Sequence, residues 1–489
     1  MHTLPTVHPC RMVSGMFSIS AILYLSEWLV RIVMLLVVTR RREPAAAMAW
    51  LLVIFFIPWV GLVLYWFIGE HRLPRRRIEE RETAQGRLRA VAQRFAAHPN
   101  VVRPELGAEA APAIMLAERL GYMPILGGNS VALLADTDEV VARLIADIDA
   151  AENHVHLLFY IYAADATSRR VTEALVRAAQ RGVACRVMVD AVGSRRMLKT
   201  MAPDLLKHGI DVRPALPVGL FRRRMARIDL RNHRKIAVID GRIGYAGSQN
   251  IVSADYGHKN LAWQDLMVRL TGPIVLELQA VFVSDWYSET GVFLDDEAIF
   301  PEPELAGTVP VQTIPSGPNF PTENFQRLVV AALYTARERV IITTPYFVPD
   351  KPLMQALEVA VLRGVRVELI VPRRSDQRLV AAASRAYYED LLQAGVHLHL
   401  YDKGLLHAKT ISIDDRFAII GSDNLDIRSF ALNFEISLLF YSHKVSGNLR
   451  TLQQAYMEAG FELTEERWAQ RAAWKRVAQN VAKLMSPLL

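Results

Sequence analysis

Two copies of one histidine–lysine–aspartate array carry the chemistry that this sequence can do. Residues 231–250 hold His233, Lys235 and Asp240, then Gly247, Ser248 and Asn250. After 174 residues the same types return as His407, Lys409 and Asp414, then Gly421, Ser422 and Asn424. The shared spacing is H-x-K-x4-D-x6-G-S-x-N. An imidazole near its reference pKa of about 6.5 can act as a nucleophile or carry a proton. Two lysines, two serines and two asparagines suit the oxygens of a tetrahedral phosphate and the charge that grows on them in the transition state. Two histidines on opposite sides of one phosphorus would divide attack and proton transfer between them.

Each array alternates apolar and polar residues up to Asp-Gly or Asp-Asp, which predicts a strand, a turn and a second strand. Residues two apart on a strand share a face, so His233 and Lys235 point one way, as do His407 and Lys409. The flanking sequence repeats as well. ALVRAAQRGVACRVMV at 174–189 aligns without gaps to ALEVAVLRGVRVELIV at 356–371. A duplication of roughly 180 residues per copy is too long for a solenoid repeat and predicts two similar α/β domains. The expected domains are 121–300 and 301–489, divided near Phe300-Pro-Glu-Pro-Glu. A pseudo-two-fold would bring the two histidine-bearing strands face to face at the junction, where ligand sites tend to lie.

The double motif resembles that of the phospholipase D superfamily. The wider sequence is similar to the bacterial cardiolipin synthases of that superfamily, through MAWLLVIFFIPWVGLVLYWFIGE at 48–70, WQDLMVRLTGP at 263–273, TTPYFVP at 343–349, LNFEISL at 432–438 and the terminal SPLL. The resemblance implies transfer of a phosphatidyl group from one phosphatidylglycerol to another, giving cardiolipin and glycerol through a phosphatidyl-histidine. One phosphodiester replaces another, so no cofactor and no metal is expected. Family precedent makes His233 the nucleophile and His407 the acid and base, although the duplication leaves the two nearly symmetric. The catalytic set is His233, Lys235, Asp240, His407, Lys409 and Asp414, with Asp240 and Asp414 expected to brace their loops. Ser248, Asn250, Ser422 and Asn424 are the expected substrate-binding groups. Asp265, 32 residues after His233, and Glu435, 28 after His407, match the family's carboxylates that bond an imidazole and fix its tautomer. A phospholipase D-type hydrolase and a phosphatidylserine synthase would use the same residues with another acceptor. A non-catalytic membrane-tethered lipid binder would need neither imidazole.

Composition narrows the setting. The chain has 489 residues, 52% of them hydrophobic, and a net charge of +7. The apolar excess predicts membrane segments, and the positive charge an anionic partner. With two apolar runs, that partner is a lipid surface rather than nucleic acid. Cys10 and Cys185 lie in separate regions, which argues against a disulfide framework and for a reducing compartment.

Residues 1–70 are expected to hold two transmembrane helices, at about 16–39 and 45–68, each long enough for a bilayer core of ~30 Å. Glu27 and Arg31, at i and i+4, can pair within the first. Pro58 and Gly61 can kink the second. Arg40, Arg41 and Arg42 lie between the runs, and Arg72, Arg75, Arg76 and Arg77 follow the second. The positive-inside rule places both clusters in the cytoplasm. A plain hairpin cannot satisfy both, so either the loop is an exception or the second run enters and leaves one side. The expected location is a bacterial inner membrane, multi-pass, with the catalytic body cytoplasmic. Residues 71–120 read as a basic connector. The loop at 214–231, with Leu216, Leu220 and Phe221 among Arg222, Arg223, Arg224 and Arg227, reads as a lipid-access lid. The tail at 465–484 reads as a basic amphipathic helix. Trp468, Trp474, Val477, Val481 and Leu484 would meet a bilayer interface or pack on the second domain, with Arg471, Lys475 and Lys483 alongside.

Overall fold

The computed structural model describes residues 12–41, 44–69, 98–104, 111–218, 230–257, 261–294, 296–318 and 323–484, with the single positions 83, 86, 320 and 486. The chain divides into two compact units, Met1–Arg72 and Leu73–Leu489. Most of the expected connector, including residues 75–97 but for 83 and 86, lies outside the described residues. So do residues 219–229 of the expected lid.

In the N-terminal unit, α1 (Met12–Arg41) contains one 22-residue apolar span, Ile19–Arg40. At 1.5 Å per residue that is about 33 Å, enough for a bilayer core. Its large side chains Ile22, Leu25, Leu29 and Leu36 are exposed. The second apolar run is not one helix. It breaks into α2 (Pro44–Phe56) and α3 (Pro58–Leu64), followed by a π turn at Tyr65–Gly69. Pro58 offers no N–H to the preceding turn and disfavours helical geometry in the residue before it, and Ile57 leaves the helix at φ −136°, ψ 75°. The chain then folds back. A Cβ at Gly61 would sit 2.7 Å from the Ile54 Cα, and the Trp50 and Tyr65 rings lie edge to face at 5.3 Å. An unbroken helix would hold those rings about 22 Å apart. One helix is therefore long and apolar enough to span a membrane among the described residues, where the sequence suggested two. The expected Glu27–Arg31 pair forms at 3.2 Å. Arg31 Nε also donates to the Phe55 carbonyl at 3.1 Å, in the last turn of α2, where carbonyls lack helical partners.

The larger unit is built on one mixed sheet of fifteen strands. The first repeat contributes β1 (Leu126–Leu134), β2 (His154–Phe159), β3 (Ala184–Asp190), β4 (Asp211–Ala215), β5 (Lys235–Ile239), β6 (Ile243–Gly247), the two-residue β7 (Trp263–Gln264) and β8 (Met267–Thr271). The second contributes β9 (Val309–Ser316), β10 (Arg339–Thr343), β11 (Phe347–Val348), β12 (Arg366–Pro372), β13 (His397–Tyr401), β14 (Leu405–Leu406), β15 (Thr410–Ile413), β16 (Phe417–Gly421), β17 (Leu425–Asp426), β18 (Glu435–Phe440) and β19 (Gly460–Leu463). The order is β19-β13-β12-β10-β15-β16-β18-β9-β1-β8-β6-β5-β2-β3-β4, with β7, β11, β14 and β17 outside it. Outward from the antiparallel β9–β1 junction, the halves match strand for strand and sense for sense, and β19 extends one edge. The predicted duplication is thus present, but as one continuous sheet. Buried Asn129 ties the junction, donating from Nδ2 to the Leu126 and Val309 carbonyls and accepting from Ile274 N–H.

A single apolar cluster spans both halves beneath α4 (Ile274–Thr290) and α5 (His443–Glu458). Phe282 and Trp286 of α4 are buried in it, each side chain contributing roughly 1.5–3 kcal/mol by leaving water. Each half has its own cluster besides. The short helix Ala111–Gly121, assigned by sequence to the connector, belongs to this body: Ala117 packs with Ile314 and Phe325 of the second half.

The tail forms two helices rather than one, α6 (Glu465–Ala469) and α7 (Ala473–Leu484). Trp468 does not face outward. Its ring lies 5.3 Å from Tyr388, with the Arg471 guanidinium 4.5 Å from its centroid. Trp474, Val477, Val481 and Leu484 are exposed.

Candidate active site

Neither histidine sits within a strand. His233 precedes β5, which starts at Lys235 opposite Phe159 of β2. His407 precedes β15, whose Thr410 lies opposite Thr343 of β10. Six strands separate β5 from β15 along the sheet, so the two are not neighbours there. The segments just before them cross to the other half instead. Asn232 bridges Phe434, and β14 pairs with β7. His233 N–H donates to the Phe434 carbonyl and His407 N–H to the Gln264 carbonyl, both at 2.8 Å.

That crossing decides the ring partners. The sequence spacing suggested that Asp265 serves His233 and Glu435 serves His407. The structure exchanges them: His407 Nδ1 lies 2.6 Å from Asp265 Oδ1, and His233 Nδ1 lies 3.2 Å from Glu435 Oε1. Each carboxylate residue directly follows the one whose carbonyl holds the partner histidine's backbone, so main chain and ring are fixed together. With Nδ1 donating, Nε2 of each imidazole keeps its lone pair for chemistry. Asn433 Nδ2 lies 3.3 Å from His233 Nδ1 and also donates to Glu435 at 3.2 Å.

The lysines are buried, and each Nζ donates to the carbonyl of its own histidine at 2.5 Å. The field of each reaches the imidazole of the opposite half, which brings both arrays into one site. Asp240 and Asp414 stand at the far ends of β5 and β15, away from the histidines. Each occupies the left-handed region, at φ +53° and +49°. Each accepts three backbone N–H groups at 2.7–2.9 Å, from Glu152, Asn153 and His154 in one half and from Arg337, Glu338 and Arg339 in the other. These bonds tie the end of each strand to the chain that enters the neighbouring strand.

The serines are committed to the scaffold. Ser248 Oγ donates to Asp265 at 2.6 Å and accepts from Leu266 N–H at 3.0 Å. Ser422 Oγ accepts from Ile436 N–H at 2.9 Å. Both hydroxyls hold the segments that carry the two carboxylates. Gly247 and Gly421 make this possible, because a Cβ at either would overlap the Leu266 or Ile436 carbonyl. Asn250 Oδ1 accepts from Ile161 N–H at 3.0 Å. Asn424 donates weakly to Ser429 at 3.3 Å.

Sequence reasoning missed the aromatic walls. The Tyr160 ring lies 3.9 Å from that of His233, and Trp263 lies 4.5 Å from His407. It also missed Asp190, fully buried, which takes Asn232 N–H at 3.0 Å and Arg231 at 3.3 Å. Arg234, the middle residue of its motif, donates to the Glu435 carbonyl at 2.9 Å, to Asp285 at 2.7 Å and to the Ser316 carbonyl at 3.2 Å. Its counterpart Ala408 can do none of this. The flanking Trp263-Gln264-Asp265 run was the only sequence signal for any of these. From the expected lid, Leu216 is buried against Phe434 rather than presented to lipid.

The two ring partners differ in charge. Burial would raise the Asp265 carboxyl, but His407, Lys409 and Ser248 outweigh it and hold it at about 2. Burial pushes Glu435 up to about 7 against the pull of Lys235. Burial and Lys235 depress His233 well below the usual imidazole range, and burial and Lys409 bring His407 to about 4. Both rings therefore rest neutral. Burial also pulls Lys409 down to about 7.

The described residues hold no cluster of metal-ligating side chains. Two neutral imidazoles, each held at Nδ1 by a carboxylate and flanked by a buried lysine, suit nucleophilic phosphoryl transfer with a separate proton carrier.

Comparison with known proteins agrees. The family model described as "Cardiolipin synthase, PLD-like domain" matches residues 144–286 and 329–456, and "Phospholipase_D-nuclease N-terminal" matches 29–70. Cardiolipin synthase A of Yersinia pseudotuberculosis serotype O:1b (strain IP 31758) is 36% identical over 456 residues, covering 91% of this chain and 93% of its own. Cardiolipin synthase A of Escherichia coli O1:K1 / APEC is 37% identical over 452 residues, with the same coverage. The phosphatidylserine synthase of Haemophilus influenzae Rd KW20 shares the fold, with a TM-score of 0.58 at 15% identity over 77% of this chain and all of that one. Two arrays exchanging carboxylates across a duplicated sheet, and relatives matching nearly end to end, place this chain in the phospholipase D-like cardiolipin synthase family.

Proposed function

We propose that the chain is a phosphatidyltransferase that makes cardiolipin and glycerol from two molecules of phosphatidylglycerol. The observation that carries the reading is the crosswise hold on both imidazoles, which presents two Nε2 atoms with unequal Nδ1 partners. His233 Nε2 attacks the phosphorus of the first lipid, and the bond to the headgroup glycerol oxygen breaks. Entry of the phosphodiester anion favours protonated His407, a form that ionised Asp265 supports through Nδ1. His407 passes its proton to the departing oxygen. It then takes a proton from the glycerol hydroxyl of the second lipid, whose oxygen attacks the phosphatidyl-histidine and releases His233. Lys235 and Lys409 offset the charge on the non-bridging oxygens, with Asn250 as a neutral donor. Each half-reaction exchanges one phosphodiester-level bond for another, so the scheme balances without nucleotide or metal.

The N-terminal unit fits this reading. α1 anchors the chain, and α2 with α3 dips into and returns from one membrane face. That topology puts Arg40–Arg42 and Arg72–Arg77 on the same side and the catalytic body in the cytoplasm. A reporter fused at residue 43 should read cytoplasmic, and a periplasmic signal would restore the plain hairpin.

Purified chain in vesicles, given phosphatidylglycerol alone, should yield cardiolipin and equimolar glycerol. Phosphatidic acid in place of cardiolipin would mean that water is the acceptor and the chain a hydrolase.

A further inference from the structure

Helix α7 (Ala473–Leu484) turns its largest apolar side chains away from the protein. The side facing the body carries small or polar groups. Ala482 is buried in the second half's core, Ser486 Oγ lies 3.2 Å from Tyr387 Oη, and Lys483 reaches Asp390 at 2.9 Å while lying over the Tyr387 ring. At 100° per residue, Trp474, Val477, Val481 and Leu484 fall within a stripe about 80° wide on the opposite side. They are 68%, 63%, 58% and 78% exposed. Burial in this body cannot account for that stripe.

What surrounds the stripe is basic. α7 has no acidic residue and carries Lys475, Arg476 and Lys483. Beside its docking site lies a cavity of about 420 Å³ lined by Arg373, Arg374 and Arg385 with Asp402 as the one acid, and floored by Tyr388 and Trp468. Arg373 and Arg374 directly follow β12. Since Ile370 of β12 and Thr410 of β15 both lie opposite Thr343, the cavity opens at the same end of the sheet as His407.

We propose that the outward face of α7 lies in the interface of an anionic bilayer, as a membrane contact of the catalytic body itself, and that the Arg373–Arg374–Arg385 cavity takes a lipid headgroup phosphate at that surface. The choice of lipid rather than a protein as occupant rests on the proposed function and on charge complementarity. A tryptophan and three aliphatic residues in one stripe, flanked by lysine and arginine, match the physics of interfacial helices. The contact would bring the end of the sheet that bears His407 to the headgroup layer.

The test uses the full chain in a Cys10→Ser background, reconstituted in vesicles of phosphatidylglycerol and phosphatidylcholine. Spin labels are placed at Val477→Cys, Val481→Cys and, as a control on the basic flank about 100° or more away from both, Arg476→Cys. Labels at 477 and 481 should be at least 5-fold less accessible to a water-soluble nickel chelate than the label at 476, and more accessible to oxygen. The contrast should shrink in phosphatidylcholine alone. Equal nickel access at 477 and 476 would overturn the proposal. Dipolar broadening between labels at 477 would also overturn it, by naming a second copy as the occupant. Arg374→Ala should weaken the dependence on phosphatidylglycerol, and unchanged dependence would remove the cavity from the proposal. Label depth is read without turnover, so failure of the assigned reaction would leave this measurement standing.

Discussion

His407 and Asp265 lie 142 residues apart in the chain and belong to different repeats, yet their side chains meet at 2.6 Å. Neither array is complete within its own half. Asp265→Asn keeps the shape and removes the charge that steadies a protonated His407. The expected result is a fall in kcat on the order of 10⁴-fold, as for other carboxylates that orient a catalytic histidine. The sheet should stay intact by circular dichroism. A change below tenfold would mean that the pair is structural.

Glu435 sets a pH dependence. Its carboxyl is raised by burial to about 7, so it is neutral below that pH and ionised above it. Only the ionised form fully accepts from His233 Nδ1–H and strengthens Nε2 as a nucleophile. The pH profile of kcat/KM reports groups of the free enzyme. Above pH 7 it should bend down as Lys409, lowered to about 7, loses its charge, and its rising limb below pH 7 should belong to Glu435. Glu435→Gln should flatten it. Asp423, pushed up to about 8 by burial and by Glu435, is the control. Asp423→Asn should leave a rising limb, whereas its loss would assign the titration to Asp423.

The proposed roles separate the two histidines. Acid quenching during turnover of labelled phosphatidylglycerol should leave lipid phosphorus on the protein, mapped to a peptide containing His233. His233→Ala should abolish the adduct, and His407→Ala should slow its formation and decay by at least 10²-fold. An adduct on His407 would reverse the assignment.

Asp240 and Asp414 should behave as scaffold. Asparagine tolerates their left-handed backbone, so Asp240→Asn isolates the loss of charge from three N–H bonds. A stability loss of about 2 kcal/mol is expected, read by denaturant unfolding, with kcat per folded molecule within a few-fold of the parent. A collapse of kcat without a stability change would put the aspartate in the chemistry.

The duplication and most of the strand pattern were legible, because a gapless repeat and apolar alternation are local facts. The expected placing of each histidine on a strand with its lysine was not met, since β5 starts only at Lys235 and β15 only at Thr410. The exchange of Asp265 and Glu435 was not legible. Which half a loop crosses to depends on pairing between segments some 200 residues apart, such as Asn232 with Phe434. The bonds of Ser248 and Ser422 to Asp265, Leu266 and Ile436 were hidden for a related reason: a hydroxyl type says nothing of which distant groups lie within reach. Pro58 did signal a break. The depth of the reversal it permits shows only in the approach of Gly61 to Ile54.

The unequal lengths of the two exchanged acids carry a last implication. Two identical subunits joined edge to edge would give both imidazoles the same acceptor, the same distance and the same basicity, and neither could specialise. Joining the copies into one polypeptide removes that symmetry. A short Asp faces one ring at 2.6 Å and a longer, less acidic Glu faces the other at 3.2 Å. Tyr160 and Arg234 have no equals in the partner repeat. Covalent fusion here allows a division of labour that point-group symmetry forbids.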